Sequence, residues 1–215
     1  MNIVVVDYGS GNLRSAAKAL EHVADAASHV QISDKAADVR AADRIVLPGV
    51  GAFADCKAGL GSLPGMIEAL RDTVIEKQRP FLGLCVGMQL MARAGHEHVM
   101  TEGLNWIGGE VVSIAPRDAA TGAALKVPHM GWNALSFDNP RHPLLAGIDA
   151  GDEVYFVHSF QLRLDDLEDR LAATDYGGAI TAMIARDNMA GTQFHPEKSQ
   201  RIGLALLANF LGWKP

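Results

Sequence analysis

The chain is 215 residues long, with 48% apolar residues and a formal net charge of −6. This length and apolar content provide for a sizeable core and exclude a disordered chain; the acidic balance argues against a general nucleic-acid binder, which needs a basic face for phosphates. Two cysteines, Cys56 and Cys85, without C-x-x-C spacing exclude a disulfide scaffold and a cysteine-based zinc site as the organising principle.

The opening Met1–Asp7 has no basic region, and its apolar run stops at Asp7, so it does not read as a signal peptide. No apolar stretch nears the roughly 20 residues needed to cross a bilayer. A soluble, cytoplasmic setting without a membrane partner is expected, and its reducing conditions keep a thiol usable.

Ile3–Asp7 reads as a strand buried on both faces, because its apolar run is short and continuous. Tyr8–Asn12 is a turn, and Leu13–Val23 has helical spacing. His29–Ile32 is a weaker strand, Arg44–Leu47 a third strand stopped by Pro48-Gly49, and Leu63–Gln78 a helix with Met66, Ile67, Leu70 and Val74 on one face. The strand Phe81–Leu84 then leads into a helix that begins directly after Cys85. Alternation at these lengths predicts an α/β fold with a mostly parallel central sheet flanked by helices. The second half adds strands at 110–114, 125–127, 154–164, 171–174, 180–186 and 189–193, and a last helix at 202–211 closes the chain. With no repeat, low-complexity tract or linker, residues 1–215 are expected to form one domain.

Two motifs carry chemistry. Gly83-Leu84-Cys85-Val86-Gly87 is a G-x-C-x-G frame at a strand-to-helix turn. Such a turn holds the central residue in a strained conformation with its side chain above the sheet, and flanking glycines are needed where a Cβ would strike backbone. The helix N-terminus favours a thiolate, and the Val86 N–H is placed to receive an oxyanion. Cys56 lies in a Gly-rich loop without such a frame and reads as a structural residue. The second motif is His195-Pro196-Glu197. Pro196 biases His195 to an extended shape, so that His195 and Glu197 share one side, as a carboxylate orienting an imidazole requires. The same Pro-Glu pair also suits a helix start. Gly9–Asn12 is too short for a G-x-G-x-x-G phosphate loop, so nucleotide binding is not indicated.

On these paired motifs the chain resembles class I triad-type glutamine amidotransferases along nearly its whole length. The resemblance implies a flavodoxin-like fold and a reaction in which a cysteine attacks the glutamine side-chain amide, ammonia leaves, and water releases glutamate from a thioester. It implies Cys85 as nucleophile, His195 as base and then acid, and Glu197 as orienter, with neither cofactor nor metal. Backbone N–H groups of Val50 and Gly51 are implied to join Val86 at the oxyanion, each such donor being worth about 3 kcal/mol of barrier. Gln89, His158 and Ser159 are implied to hold the amino-acid end of glutamine. Three fragments, Asp7–Leu13, Lys126–Asn133 and Tyr155–Ser159, resemble family members that feed ammonia to a (β/α)8-barrel cyclase of histidine biosynthesis. That likeness implies a heterodimer with Asn12, Trp132, Tyr155 and Lys198 facing the barrel. An amidotransferase subunit of another synthase and a stand-alone γ-glutamyl cysteine hydrolase are the alternatives.

Overall fold

A computed structural model describes residues 1–215. The first half alternates β1 (Asn2–Val6), α1 (Leu13–Val23), β2 (His29–Ser33), α2 (Ala36–Arg40), β3 (Arg44–Gly49), α3 (Phe53–Ser62) and α4 (Met66–Leu70). β4 (Phe81–Cys85) then runs directly into the one-turn helix α5 (Val86–Gln89). Nine strands follow: β5 (Ala94–Glu97), β6 (Val99–Glu102), β7 (Gly109–Ser113), β8 (His129–Ala134), β9 (Ser136–Phe137), β10 (Glu153–His158), β11 (Phe160–Leu164), β12 (Arg170–Asp175) and β13 (Ala179–Arg186). β14 (Met189–Thr192) and the helix α6 (Gln200–Gly212) complete the chain.

The central sheet has eight strands in the order β2-β1-β3-β4-β14-β13-β12-β9. β2, β1, β3, β4 and β14 are mutually parallel, and β13, β12 and β9 continue the sheet antiparallel. Ile3 and Val5 of β1 pack into the apolar layer with α1 and α6, whereas Val4 and Val6 pack into the opposite layer with α3 and α4. Period-2 alternation thus feeds two cores from one strand, which is why β1 is apolar at every position after Asn2. β11-β7-β5-β6 form a second sheet, and β8 and β10 form a separate antiparallel pair.

Several boundaries differ from those read in the sequence. β3 continues through Pro48 and Gly49, which pair with Leu84 and Cys85, because its ladder with β1 ends at Val46 and Pro48 breaks none of it. The helix expected over 63–78 is divided. Its first turn is replaced by Gly65 in a left-handed conformation (φ 68°), and beyond α4 the turns widen over Arg71–Glu76. The strand expected at 125–127 is absent; an isolated bridge joins Arg117 to Ala124 just before it, the Leu125 N–H donates to the Pro116 carbonyl, and the Lys126 carbonyl accepts from the Tyr176 hydroxyl. The run 154–164 is two strands in different sheets with the corner at Ser159, a change of partner that an apolar pattern does not encode.

The turn at Cys85 is as tight as its motif implies. Cys85 has φ 54° and ψ −110°, a strained backbone for a residue with a side chain. A Cβ at Gly83 would lie 2.6 Å from the Gly87 carbonyl oxygen, and one at Gly87 would overlap the Leu47 carbonyl of the neighbouring strand. Gly87→Ala is therefore expected to lower unfolding stability by about 3 kcal/mol or more, since backbone rather than a flexible side chain must move. Urea denaturation monitored by circular dichroism measures this.

Candidate active site

β4 and β14 are adjacent and parallel, with Thr192 paired to Leu84. The next residues along each strand are Gln193 and Cys85, so the register brings Cys85 and His195 to the same carboxyl-terminal edge of the sheet. Ligands of open α/β sheets bind at this edge. A cavity of about 370 Å³ opens there. It is lined by Asn12, Val50, Gly51, Cys85, Val86, Gln89, Glu97, residues 157–160, His195 and Lys198.

His195 is held from three directions. Its N–H donates to the Tyr155 carbonyl, its carbonyl accepts from Ser199 Oγ at 2.7 Å, and its Nδ1 lies 2.9 Å from Glu197 Oε1. Glu197, acceptor only when ionised, fixes one proton on Nδ1 and leaves Nε2 as the position that takes up and gives back the second. Nε2 is buried without a hydrogen-bond partner, and Cys85 lines the same cavity. Burial alone lowers the imidazole's proton affinity. Cys85 and Glu197 more than offset it, and the pKa is pushed up to about 9. Burial tends to raise the Glu197 carboxyl in turn, but the His195 contact and the Asn12 amide hold it below its ordinary value.

Asn12, which the resemblance places against a partner, lines the cavity and turns its amide to Glu197. It stands at the N-cap of α1, makes no cap bond there, and donates from Nδ2 to Glu197 Oε1 at 3.1 Å. A residue diverted from its own helix terminus to the carboxylate extends the hydrogen-bonded chain from His195 through Glu197 to Asn12. Glu197 itself lies behind His195, out of the cavity lining.

Of the expected oxyanion donors, Val86 starts α5, where its N–H has no intrahelical acceptor. The Gly51 N–H also has no protein partner. The Val50 N–H, by contrast, is engaged. It donates to Ser10 Oγ at 3.1 Å while that hydroxyl donates back to the Val50 carbonyl at 2.5 Å. Cys56 Sγ contacts the same carbonyl at 3.3 Å, so the cysteine read as structural buttresses this clasp.

Gln89, His158 and Ser159 all line the cavity. Both hydrogen bonds of Gln89 use Nε2, to the Phe160 carbonyl at 3.1 Å and Gln193 Oε1 at 3.0 Å, so its Oε1 remains free. His158 has neither ring nitrogen to offer a ligand: Nδ1 lies 2.9 Å from the Phe160 carbonyl and Nε2 2.9 Å from His129 Nδ1. Burial pushes both histidines down to about 4, so they are neutral at physiological pH. Glu97 and Gln193 belong to the site without any motif to mark them. Glu97 caps α3 by accepting the Phe53 N–H and brings the cavity a carboxylate. A lone Glu in a hairpin gives no sequence signal of this.

The class-I glutamine amidotransferase family pattern matches residues 4–212. The chain belongs to the class-I glutamine amidotransferases. It is 54% identical to imidazole glycerol phosphate synthase subunit HisH of Brucella suis, with 100% of both chains covered. It is 56% identical, again over 100% of each chain, to the subunit of the same name from Cereibacter sphaeroides. The fold resembles a putative GMP synthase subunit of Thermoplasma acidophilum (TM-score 0.69, 22% identity, 99% of this chain and 92% of that one). It also resembles the glutaminase domain of Trypanosoma brucei CTPS solved with acivicin (TM-score 0.63, 16% identity, 100% and 95%).

In this amidotransferase an aromatic cluster stands beside Lys198 of the cavity wall. Trp132 and Tyr155 pair across β8 and β10 with ring centroids 6.0 Å apart, and Lys198 Nζ stands 5.8 Å from the Tyr155 ring. Trp132 is 45% and Met130, on the same face of β8, 61% exposed. No helix is long and apolar enough to cross a membrane.

An imidazolium that must protonate a leaving amine is lost as pH rises through its pKa, so glutaminase activity should fall above about pH 9. Glu197→Gln removes one of the groups that raise the His195 pKa. Its alkaline limb is expected at lower pH, with kcat down at least about 100-fold. A pH profile of kcat for both proteins checks the sign.

Proposed function

We propose that the chain hydrolyses glutamine to glutamate and ammonia and hands the ammonia to a cyclase that makes imidazole glycerol phosphate and AICAR. The observation that carries this reading is the meeting of Cys85 and the unpartnered Nε2 of His195 in one cavity, with Glu197 and Asn12 behind the imidazole.

Cys85 gives its proton to His195 Nε2, and the sulfur attacks the side-chain amide carbon of glutamine. The oxyanion that forms accepts hydrogen bonds from the Val86 and Gly51 N–H groups. His195 protonates the amide nitrogen, the C–N bond breaks, and ammonia leaves a γ-glutamyl thioester. His195 then takes a proton from water, the hydroxide attacks the thioester, and glutamate departs as Cys85 regains the electron pair. Glu97 supplies the negative charge that the substrate α-ammonium needs. The free Gln89 Oε1 and the unpartnered Ser159 hydroxyl are supports for the same end of glutamine. His158 contributes through its place in the wall, since its ring is fully engaged.

Relatives of equal length bearing the name of a synthase subunit support a partner, and the surface made by the exposed Met130, Trp132 and Lys198 with the half-buried Tyr155 supports where it docks. We assign that surface to a (β/α)8-barrel cyclase in a cytoplasmic heterodimer, with residues 1–215 acting as one amidotransferase domain. An aromatic pair with a flanking cation is the composition of an interface anchor. Docking there covers the cavity and keeps released ammonia from bulk water.

Cys85→Ala, assayed with the cyclase, is expected to abolish synthase activity with glutamine and to retain it with an ammonium salt. Retention of both activities overturns the assignment.

The Ser10 clasp holds the Val50 N–H away from the oxyanion and makes the partner-free enzyme slow. Because one hydrogen bond is worth about 1 kcal/mol, Ser10→Ala should raise partner-free glutaminase about 5-fold. Rates alone, with cyclase, and with cyclase plus its nucleotide substrate should rise in that order for the native chain. Equal rates in all three remove the gating role of Ser10.

A further inference from the structure

Gln193 is fully buried beside the nucleophile, and none of the steps from thiol to thioester to glutamate makes use of it. Its Nε2 lies 3.6 Å from Cys85 Sγ. An amide's oxygen and nitrogen can be exchanged without altering its shape, so the identity of the atom facing sulfur must come from the surrounding hydrogen bonds. Those bonds leave one solution. Gln89 faces the Phe160 carbonyl, which can only accept, so the facing atom is Nε2. That same Nε2 also faces Gln193 at 3.0 Å, so the Gln193 atom there is the oxygen. The remaining end of Gln193, directed at sulfur, is therefore the N–H donor.

We infer that Gln193 is a further catalytic residue that donates a hydrogen bond to the Cys85 sulfur, with Gln89 as the positioning residue that fixes the donor's direction. The inference rests on Cys85 as the nucleophile. A neutral thiol is a weak acceptor and a thiolate a strong one, so the bond stabilises the attacking form and the form released when the thioester is cleaved. The donor follows directly on the neighbouring strand β14, and so reaches the sulfur from a different element than the start of α5. Its direction is preset by the buried Gln89 amide, and it needs no reorganisation during the reaction.

Other groups that titrate around the sulfur are His195, Tyr8 and Cys56, together with Glu97, His158 and Lys198 of the cavity wall. Gln193→Met brings no new charge to any of them, so it tests the donor alone. Gln193→Met keeps the approximate volume and removes the donor, whereas Gln193→Glu keeps an acceptor for Gln89 and sets a carboxylate against the sulfur.

The test is the pH dependence of iodoacetamide alkylation at the Cys85 peptide, read by mass spectrometry. At pH 7 the rate should fall about 10-fold in Q193M and further in Q193E, the magnitude of a hydrogen bond to a charged acceptor. The midpoint of each profile should move up, and the rates should converge with the native chain at high pH, where the thiol ionises without help. Glutamine turnover should fall about 10- to 100-fold, mainly in kcat. Superimposable profiles, or alkylation slowed equally at every pH, overturn the inference, the latter indicating a displaced cysteine. If Q193M does not fold, Q193L, which also lacks the donor and brings no charge, gives the same reading. In the native chain, alkylation of Cys85 must abolish glutaminase; survival of the activity would instead remove Cys85 as the nucleophile.

Discussion

The site depends on one pairing, the parallel ladder between β4 and β14. Nearly half of the chain lies between these strands, yet they are neighbours with Leu84 opposite Thr192. A slip by one residue would turn Cys85 and Gln193 to opposite faces of the sheet and carry His195 away from the sulfur. The register is specified because both faces are buried. Leu82 and Leu84 pack into the layer of α1 and α6, and Phe81 and Cys85 into that of α3 and α4. The apolar core thereby sets the alignment of the polar chemistry.

The motif-bearing parts of the site are legible in the sequence because they impose local constraints. A G-x-C-x-G frame encodes a tight turn that side chains at its glycines would obstruct, and the strained φ of Cys85 and the close approach of Gly83 and Gly87 to backbone are its physical content. His195 and Glu197 are likewise placed together by two-residue spacing across a proline. The alternation that predicts the parallel half is also sound: α1 spans the residues its spacing marks, and β4 ends at Cys85.

What is not legible depends on partners far away in sequence. β8 carries no strand pattern because its inward residues are His129 and Gly131 rather than aliphatic ones, and it is held by pairing with β10. The turn of the Asn12 amide to Glu197 and the capture of the Val50 N–H by Ser10 each join segments that no local pattern relates. Gln193 precedes the histidine by two residues, but its contact with sulfur follows only from the ladder.

The paired imidazoles of His129 and His158 have a consequence for the product. Asn133 Nδ2 lies 3.2 Å from His129 Nε2, and the chain continues through His158 to the Phe160 carbonyl, with every ring nitrogen occupied. With both rings uncharged near neutrality, this stretch of wall has no proton to surrender to a departing base and no cation to repel one. An ammonia molecule beside this stretch would be neither protonated nor repelled by these two rings.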